Sequence, residues 1–227
     1  MKTIFITCFR GIISRNILAT SAFETLVRRG DIRVVIIAPE MRTKILRTEF
    51  ARNNVSIEGL ASASEKHIDN PVDRMMWVVA TNLLSTKTRG VQRKVKFAQD
   101  RNIFDYLFSL TASFLGRSRL VRNLFRRSWG WIVSPKEFDD LFEKYRPDLV
   151  FATDVYTLED MKLMLGAKRR GIPAIGMVRS WDNLTCKGTL RIIPDALAVN
   201  NDIVKGEAVR LHGVPASRIA VVGVPHY

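Results

Sequence analysis

Ten residues, RSWDNLTCKG at positions 179–188, carry more functional side chains than a turn requires. Arg179 and Lys187 can neutralise a diphosphate, because guanidinium and ammonium groups make strong charge-assisted bonds to phosphate oxygens. Trp181 offers an apolar face for a sugar or a base. Ser180, Asp182 and Asn183 can hydrogen-bond hydroxyl groups, and Asp182 is also a candidate base. The plainer alternative is an Asx-type turn with Trp181 packed as a lid on the core.

Two further stretches pose the same question. In CFRGIISRN (8–16), Gly11 permits close backbone approach. Free N–H groups at the start of a following helix favour an anion. Arg10 and Arg15 add positive charge. Otherwise the segment is an ordinary turn, with Ser14 as a helix cap and solvated arginines. In ATDVYTLED (152–160), Asp154 stands where a carboxylate can take a proton from an acceptor hydroxyl. The competing role is a helix cap, supplied by Asp154 or Thr157. Neither a GxGxxG run nor a GxxxxGK[ST] run occurs, which disfavours a dinucleotide site and a P-loop.

Each of these stretches follows an apolar run: TIFIT (3–7), LVFA (149–152) and IPAIGMV (172–178). Further runs at 33–39, 55–59, 195–201 and 218–225 read as strands. Helical patterns at 14–28, 42–52, 158–170 and 202–212 alternate with them. Gly171 and Gly213 stop two of these helices, and Asn201 or Asp202 starts the last. SPKE at 134–137 reads as a capping box opening another helix. Such alternation predicts an α/β fold, a Rossmann-like parallel sheet with flanking helices. In such sheets ligands bind beyond the carboxyl ends of the strands, so the three stretches should converge on one crevice.

Residues 61–133 break the rhythm and read as a basic helical insertion, with helices at 71–86 and 103–127 joined by a basic connection. The chain carries a net charge of +14. Between positions 87 and 127, eleven basic residues face two acidic ones, so this segment dominates the excess. In SRLVRNLFRRSWGWIV (118–133), Leu120, Val121, Leu124 and Phe125 share one face. Arg119, Arg122, Arg126 and Arg127 surround it, and Trp129 and Trp131 follow. This composition suits a helix on an anionic membrane. It equally suits a helix packed on the sheet with its arginines in water. Nucleic acid would explain the charge too, but no helix-turn-helix, RRM or zinc-finger signature is present, so it ranks lower.

Cys8 and Cys186 are far apart and lack metal-ligand spacing, and His67, His212 and His226 are scattered. No metal and no tightly bound cofactor is expected, and the cysteines read as reduced thiols of a cytoplasmic protein. The N-terminal MKTIFITCFRG is cut by Arg10 and reads as a strand, not a signal peptide. The richest apolar run, MMWVVATNLL (75–84), is too short to span a membrane.

The run DALAVNNDIVKGEAVRLHGVPASRIAVVGVPHY (195–227) resembles the end of the N-terminal domain of GT-B glycosyltransferases and their relatives. SWDN-x-T-x-KG resembles a motif of bacterial glycosyltransferase-like and CDP-glycerol glycerophosphotransferase-like proteins. The resemblance covers the chain in element order and is specific from 146 to 227. It implies one acceptor-side domain over 1–227, with the C-terminal donor-binding domain absent or supplied by a partner chain. It further implies a nucleotide-sugar co-substrate and a glycan or lipid-linked acceptor in envelope polysaccharide synthesis. Asp154 or Asp182 would be the base, and Arg10, Arg15, Arg179 and Lys187 would steady phosphate charge. Alternatives are a glycerophosphotransferase or sugar epimerase of the same superfamily, or a non-enzymatic basic module docking on anionic membrane or nucleic acid. The expected location is the cytoplasm, with peripheral contact to the inner membrane face.

Overall fold

The computed structural model describes residues 1–61 and 70–224. His67, His226 and the Pro225 that would complete the terminal Gly-x-Pro lie outside the described residues.

Strand β1 (Lys2–Thr7) leads into a short helix, α1 (Gly11–Ile13), continued by a π turn (Ser14–Leu18), and then α2 (Ser21–Val27). β2 (Ile32–Pro39), α3 (Thr43–Phe50) and β3 (Val55–Leu60) follow. The helical insertion holds α4 (Pro71–Leu83), α5 (Lys87–Asp100), α6 (Ile103–Leu115) and α7 (Arg119–Ile132). The chain returns through α8 (Asp139–Tyr145), β4 (Leu149–Ala152), α9 (Leu158–Arg169) and β5 (Ala174–Met177). It continues with α10 (Asn183–Cys186), β6 (Ala196–Val199), α11 (Asp202–His212) and β7 (Ile219–Val221).

All seven strands form one parallel sheet in the order β3-β2-β1-β4-β5-β6-β7. Strand direction makes the layers. Alternate side chains point to opposite faces, so Val35 and Ile37 enter one core while Val34 and Ile36 enter the other. Helices cover both faces, which is why β2 is apolar without alternation. Connections run outward from β1 to β3, then return through the insertion to β4. The seam between β1 and β4 is therefore the switch point of the sheet.

Four local expectations change. The helix expected over 14–28 is broken, and the Thr20 hydroxyl donates to the Ile17 carbonyl (2.7 Å) at the break. Ser14 lies inside the π turn and caps nothing. The expected basic connection is itself the helix α5, started by Thr86, whose hydroxyl accepts from Arg89 N–H. The SPKE segment makes no side-chain cap. A 3-10 turn (Lys136–Phe138) precedes α8, and Glu137 turns instead to Lys162. By contrast, the Asn201 side chain caps α11 as expected, accepting from Val204 N–H. Gly171 and Gly213 both adopt positive φ at the helix ends they close.

Candidate functional site at the β1–β4 switch point

The switch point is built on threonines. Thr7 ends β1 and Thr153 follows β4, and their hydroxyls lie 3.0 Å apart. Thr153 N–H donates to Thr7 Oγ1 (2.9 Å), and Thr153 Oγ1 lies 3.0 Å from Thr7 O. Asp160, in the first turn of α9, accepts from the hydroxyls of Thr7 and Thr157. Burial pushes the Asp160 carboxyl up to about 8, against the pull of those hydroxyls. Asp160 has no opening to solvent and serves to lock β1 to β4.

Asp154 sits directly above this lock. Its Oδ1 accepts from Tyr156 N–H (3.0 Å). Its Oδ2 lies 3.0 Å from Arg179 Nε, beyond β5. That contact is one of charge, since neither atom finds a hydrogen-bond partner of good direction. Asp154 is only 1 % exposed. Both of its oxygens are engaged and covered in this arrangement, Oδ1 by Tyr156 N–H and Oδ2 by the Arg179 guanidinium. Thr157 stands at the helix start as expected, but its hydroxyl points to Asp160 and does not cap.

Asp182 is also engaged. Ser180 Oγ donates to it at 2.5 Å, and Cys186 Sγ approaches to 3.4 Å. The Ser180 bond holds its carboxyl below the ordinary value, which makes it a weak base. Ser180 and Asp182 thus shape the turn, Asn183 is buried behind it, and Thr185 accepts from Thr86 Oγ1 through its carbonyl (2.7 Å). The loop ends at Gly188, with φ of +100°, where a Cβ would lie 2.7 Å from the Thr81 Cα. Only glycine fits there. Tyr156 Oη donates to the Gly188 carbonyl (3.1 Å), fastening the loop to the switch point.

Trp181 is not a lid on the core. It is 72 % exposed and presents an aromatic face to solvent. Lys187 sets its Nζ 5.8 Å from the Tyr156 ring centroid. It lines a separate cleft with α5 and α6. The β1 loop presents half-buried Arg10 and exposed Gly11 and Arg15 on the carboxyl end of the sheet.

Two residues of this face escaped the sequence reading. Arg42, just beyond β2, lays its guanidinium on Gly11: a Cβ there would stand 2.4 Å from Arg42 Nη1. The same strand-end rule that singled out Arg10 applies to it. Glu159 opens α9 and is half-buried. Burial pushes its carboxyl above the ordinary value, while the Arg10 charge pulls it down. Cys8, beneath the face, is buried, and burial pushes its thiol up to about 11, so it is no nucleophile. Among the described residues no cluster of metal-ligating side chains occurs.

The surface expected on α7 is divided: a stripe through Arg122, Phe125 and Trp129 is buried, and most of the rest of the helix is exposed or partly so. Trp129 is 1 % exposed and sits in the core with Phe125. Arg122 is buried and donates to the carbonyls of Gly116 (2.5 Å) and Arg117 (3.0 Å). Arg126 donates to Leu190 O (2.9 Å), His212 O (2.6 Å) and Asn123 (3.0 Å). Arg122 and Trp129 leave the membrane-facing set because the buried stripe of α7 runs through 122, 125 and 129, and the half-buried Arg126 leaves it because its guanidinium turns to the Leu190 and His212 carbonyls. Arg119, Arg127 and Trp131 remain exposed. No described helix is long and apolar enough to cross a membrane.

No protein-family model matches the chain, and no curated protein matches its sequence. Among solved structures it is similar to a UDP-N-acetylglucosamine 2-epimerase from Rickettsia bellii, with 13 % identity and a TM-score of 0.48 over 99 % of this chain and 45 % of that one. It is also similar to a glycosyltransferase from Rickettsia africae ESF-5, with 11 % identity and a TM-score of 0.45 over 98 % of this chain and 42 % of that one. The chain spans less than half the length of either protein.

Proposed function

We propose that the chain is the acceptor-side domain of a GT-B-type glycosyltransferase, moving a sugar from a nucleotide-sugar to a glycan or lipid-linked acceptor in envelope polysaccharide synthesis. The observation that supports it best is Arg179 held by buried Asp154 across the β4 and β5 loops at the switch point. A guanidinium fixed by a buried carboxylate is pre-organised, so it loses little freedom when it meets phosphate charge. Arg10 and Arg42 bring further positive charge to the same end of the sheet. Trp181 supplies the exposed aromatic face that sugar rings favour.

Glycosyl transfer also needs a proton acceptor for the attacking hydroxyl. Glu159 is the best-placed group: it opens the helix that follows the Asp154 loop, is half-buried, and has a raised pKa. In this reading Glu159 takes the proton, Arg179 and Arg10 hold phosphate, and Asp154 positions Arg179.

The test uses the native gene product with a panel of uridine-, guanosine- and cytidine-diphosphate sugars and a membrane extract as acceptor. Nucleotide release should fall at least a hundredfold in Arg179→Ala and in Glu159→Gln, with folding unchanged. Turnover equal to wild type in Arg179→Ala removes the assignment.

A further inference from the structure

The α5–α6 hairpin is the least buried part of the described chain. None of the α5 residues is buried, and α6 buries only Ala112 and Ser113. On α6, Phe104 is 80 % and Phe114 67 % exposed, and Ile103, Leu107, Leu110 and Leu115 are exposed as well. Isolated apolar residues on a surface are ordinary, but a whole helix of them needs a covering. Gly116 brings α6 against α4 so closely that a Cβ would meet the Leu83 carbonyl at 1.8 Å, so the hairpin has a fixed seat.

Beside this apolar helix, α5 and the Lys187 loop wall a cleft of about 450 Å³. Arg89, Arg93, Lys96 and Lys187 line it, against Asp100 and Asp105. Asp105 is already bound to Lys96 at 2.9 Å. Arg89 and Arg93 form no ion pair among the described residues, and each has a buried Nε with no hydrogen-bond partner. Burial, and next the Arg93 charge, lower the Arg89 pKa. Two guanidiniums one helical turn apart line the cleft and form no ion pair with its Asp100 or Asp105, an arrangement that suits an anion.

We propose that this cleft binds the phosphate of an anionic membrane lipid, with the exposed face of α6 entering the apolar layer beside it. The pairing of cationic cleft and apolar helix selects the occupant. A second copy of the chain would bring the same basic rim against itself, which like charge opposes. A nucleic acid would satisfy the arginines and leave the aliphatic face of α6 in water. A lipid surface satisfies both. This inference does not rest on the transferase reading, because its readout is binding alone.

The full chain is sedimented with phosphatidylcholine vesicles, with and without phosphatidylglycerol, over a salt series. Binding should require phosphatidylglycerol and weaken with salt. Arg89→Gln with Arg93→Gln should weaken it roughly tenfold or more. Lys2→Gln with Arg28→Gln, an equal charge loss far from the cleft, should change it less than threefold. Phe104→Ser with Phe114→Ser, both exposed, should weaken it comparably to the arginine pair without altering the melt. Equal loss in the distant pair and the cleft pair would make binding a matter of net charge and overturn the site. Binding of inorganic pyrophosphate without vesicle binding would assign a soluble phosphate and overturn the lipid. Tighter binding to a single-stranded oligonucleotide than to vesicles, or a concentration-dependent dimer lost in the Phe104 and Phe114 variant, would overturn it equally.

Discussion

The arginines of α7 and those of α5 look alike in sequence and have opposite fates. Arg122 and Arg126 lie among backbone carbonyls at the end of α6 and beside the 190 and 212 positions; Arg122 donates there through Nη1, with its Nε left unpartnered, and Arg126 through Nε and Nη2. Arg89 and Arg93 lie on a helix with no buried residue and donate to no backbone carbonyl among the described residues; Arg89 Nη1 donates to the Gln92 side chain (2.6 Å). A guanidinium belongs to the fold where backbone acceptors await it, and remains available to a ligand where they do not. Charge counts along the chain cannot separate the two cases.

The sharpest way to break this contrast lies in the α7 core. Trp129→Ala should cost about 3–5 kcal/mol of stability, read as a fall in the denaturant midpoint, because it empties a fully enclosed site. A cost below 1 kcal/mol would mean that α7 is not seated on the sheet as described. Next in size, Arg126→Ala should cost about 2 kcal/mol, since it leaves two carbonyls without their charged donor.

His212 extends the α7 side of the comparison to pH. It is fully buried between Leu190 N–H, which donates to Nδ1 (3.1 Å), and the Leu184 carbonyl, 2.8 Å from Nε2. Burial pulls its pKa down to about 3. The unfolded chain therefore binds a proton that the folded chain refuses. Its stability is fully present above about 6.5 and is lost as pH falls from there toward 3, at about 1.4 kcal/mol per unit. Compared with His212→Gln, wild type should lose its advantage at that slope in acid, measured by urea unfolding at pH 7, 6 and 5. Parallel curves for the two proteins would contradict a neutral buried imidazole. The smallest effect belongs to α5: Arg89→Gln with Arg93→Gln should shift stability by less than about 0.5 kcal/mol, because the bond lost, from Arg89 to Gln92, is exposed. A large loss there would place these arginines with those of α7.

Much of this fold was legible. The strands are apolar runs because both faces of a parallel sheet are covered, as in β2, and the stops at Gly171 and Gly213 mark a backbone conformation that side chains disfavour. Helix α5 was not legible, because apolar periodicity reports burial and α5 buries nothing. For α7 the apolar residues admit two faces, and only packing chooses the one through Phe125 and Trp129 while leaving Trp131 in solvent. At the site, position was legible and role was not. The strand-end rule found the loops carrying Arg10, Asp154 and Arg179. It had no means of telling that Asp154 and Asp182 would be bound by their neighbours, because that depends on side-chain directions across three loops.

The strand order carries a consequence for how the chain is made. β1 pairs with β2 at a modest sequence separation, but on its other side Thr3 meets Asp148 across 145 positions. During synthesis, β1 to β3 can assemble as they emerge, while the far edge of β1 stays unpaired until the whole insertion has followed. Closing so long a loop is slow, and an open central strand edge invites pairing with another chain. The nascent protein is therefore most vulnerable to misassembly while the insertion is being translated, and the Thr7–Thr153–Asp160 lock marks the moment that period ends.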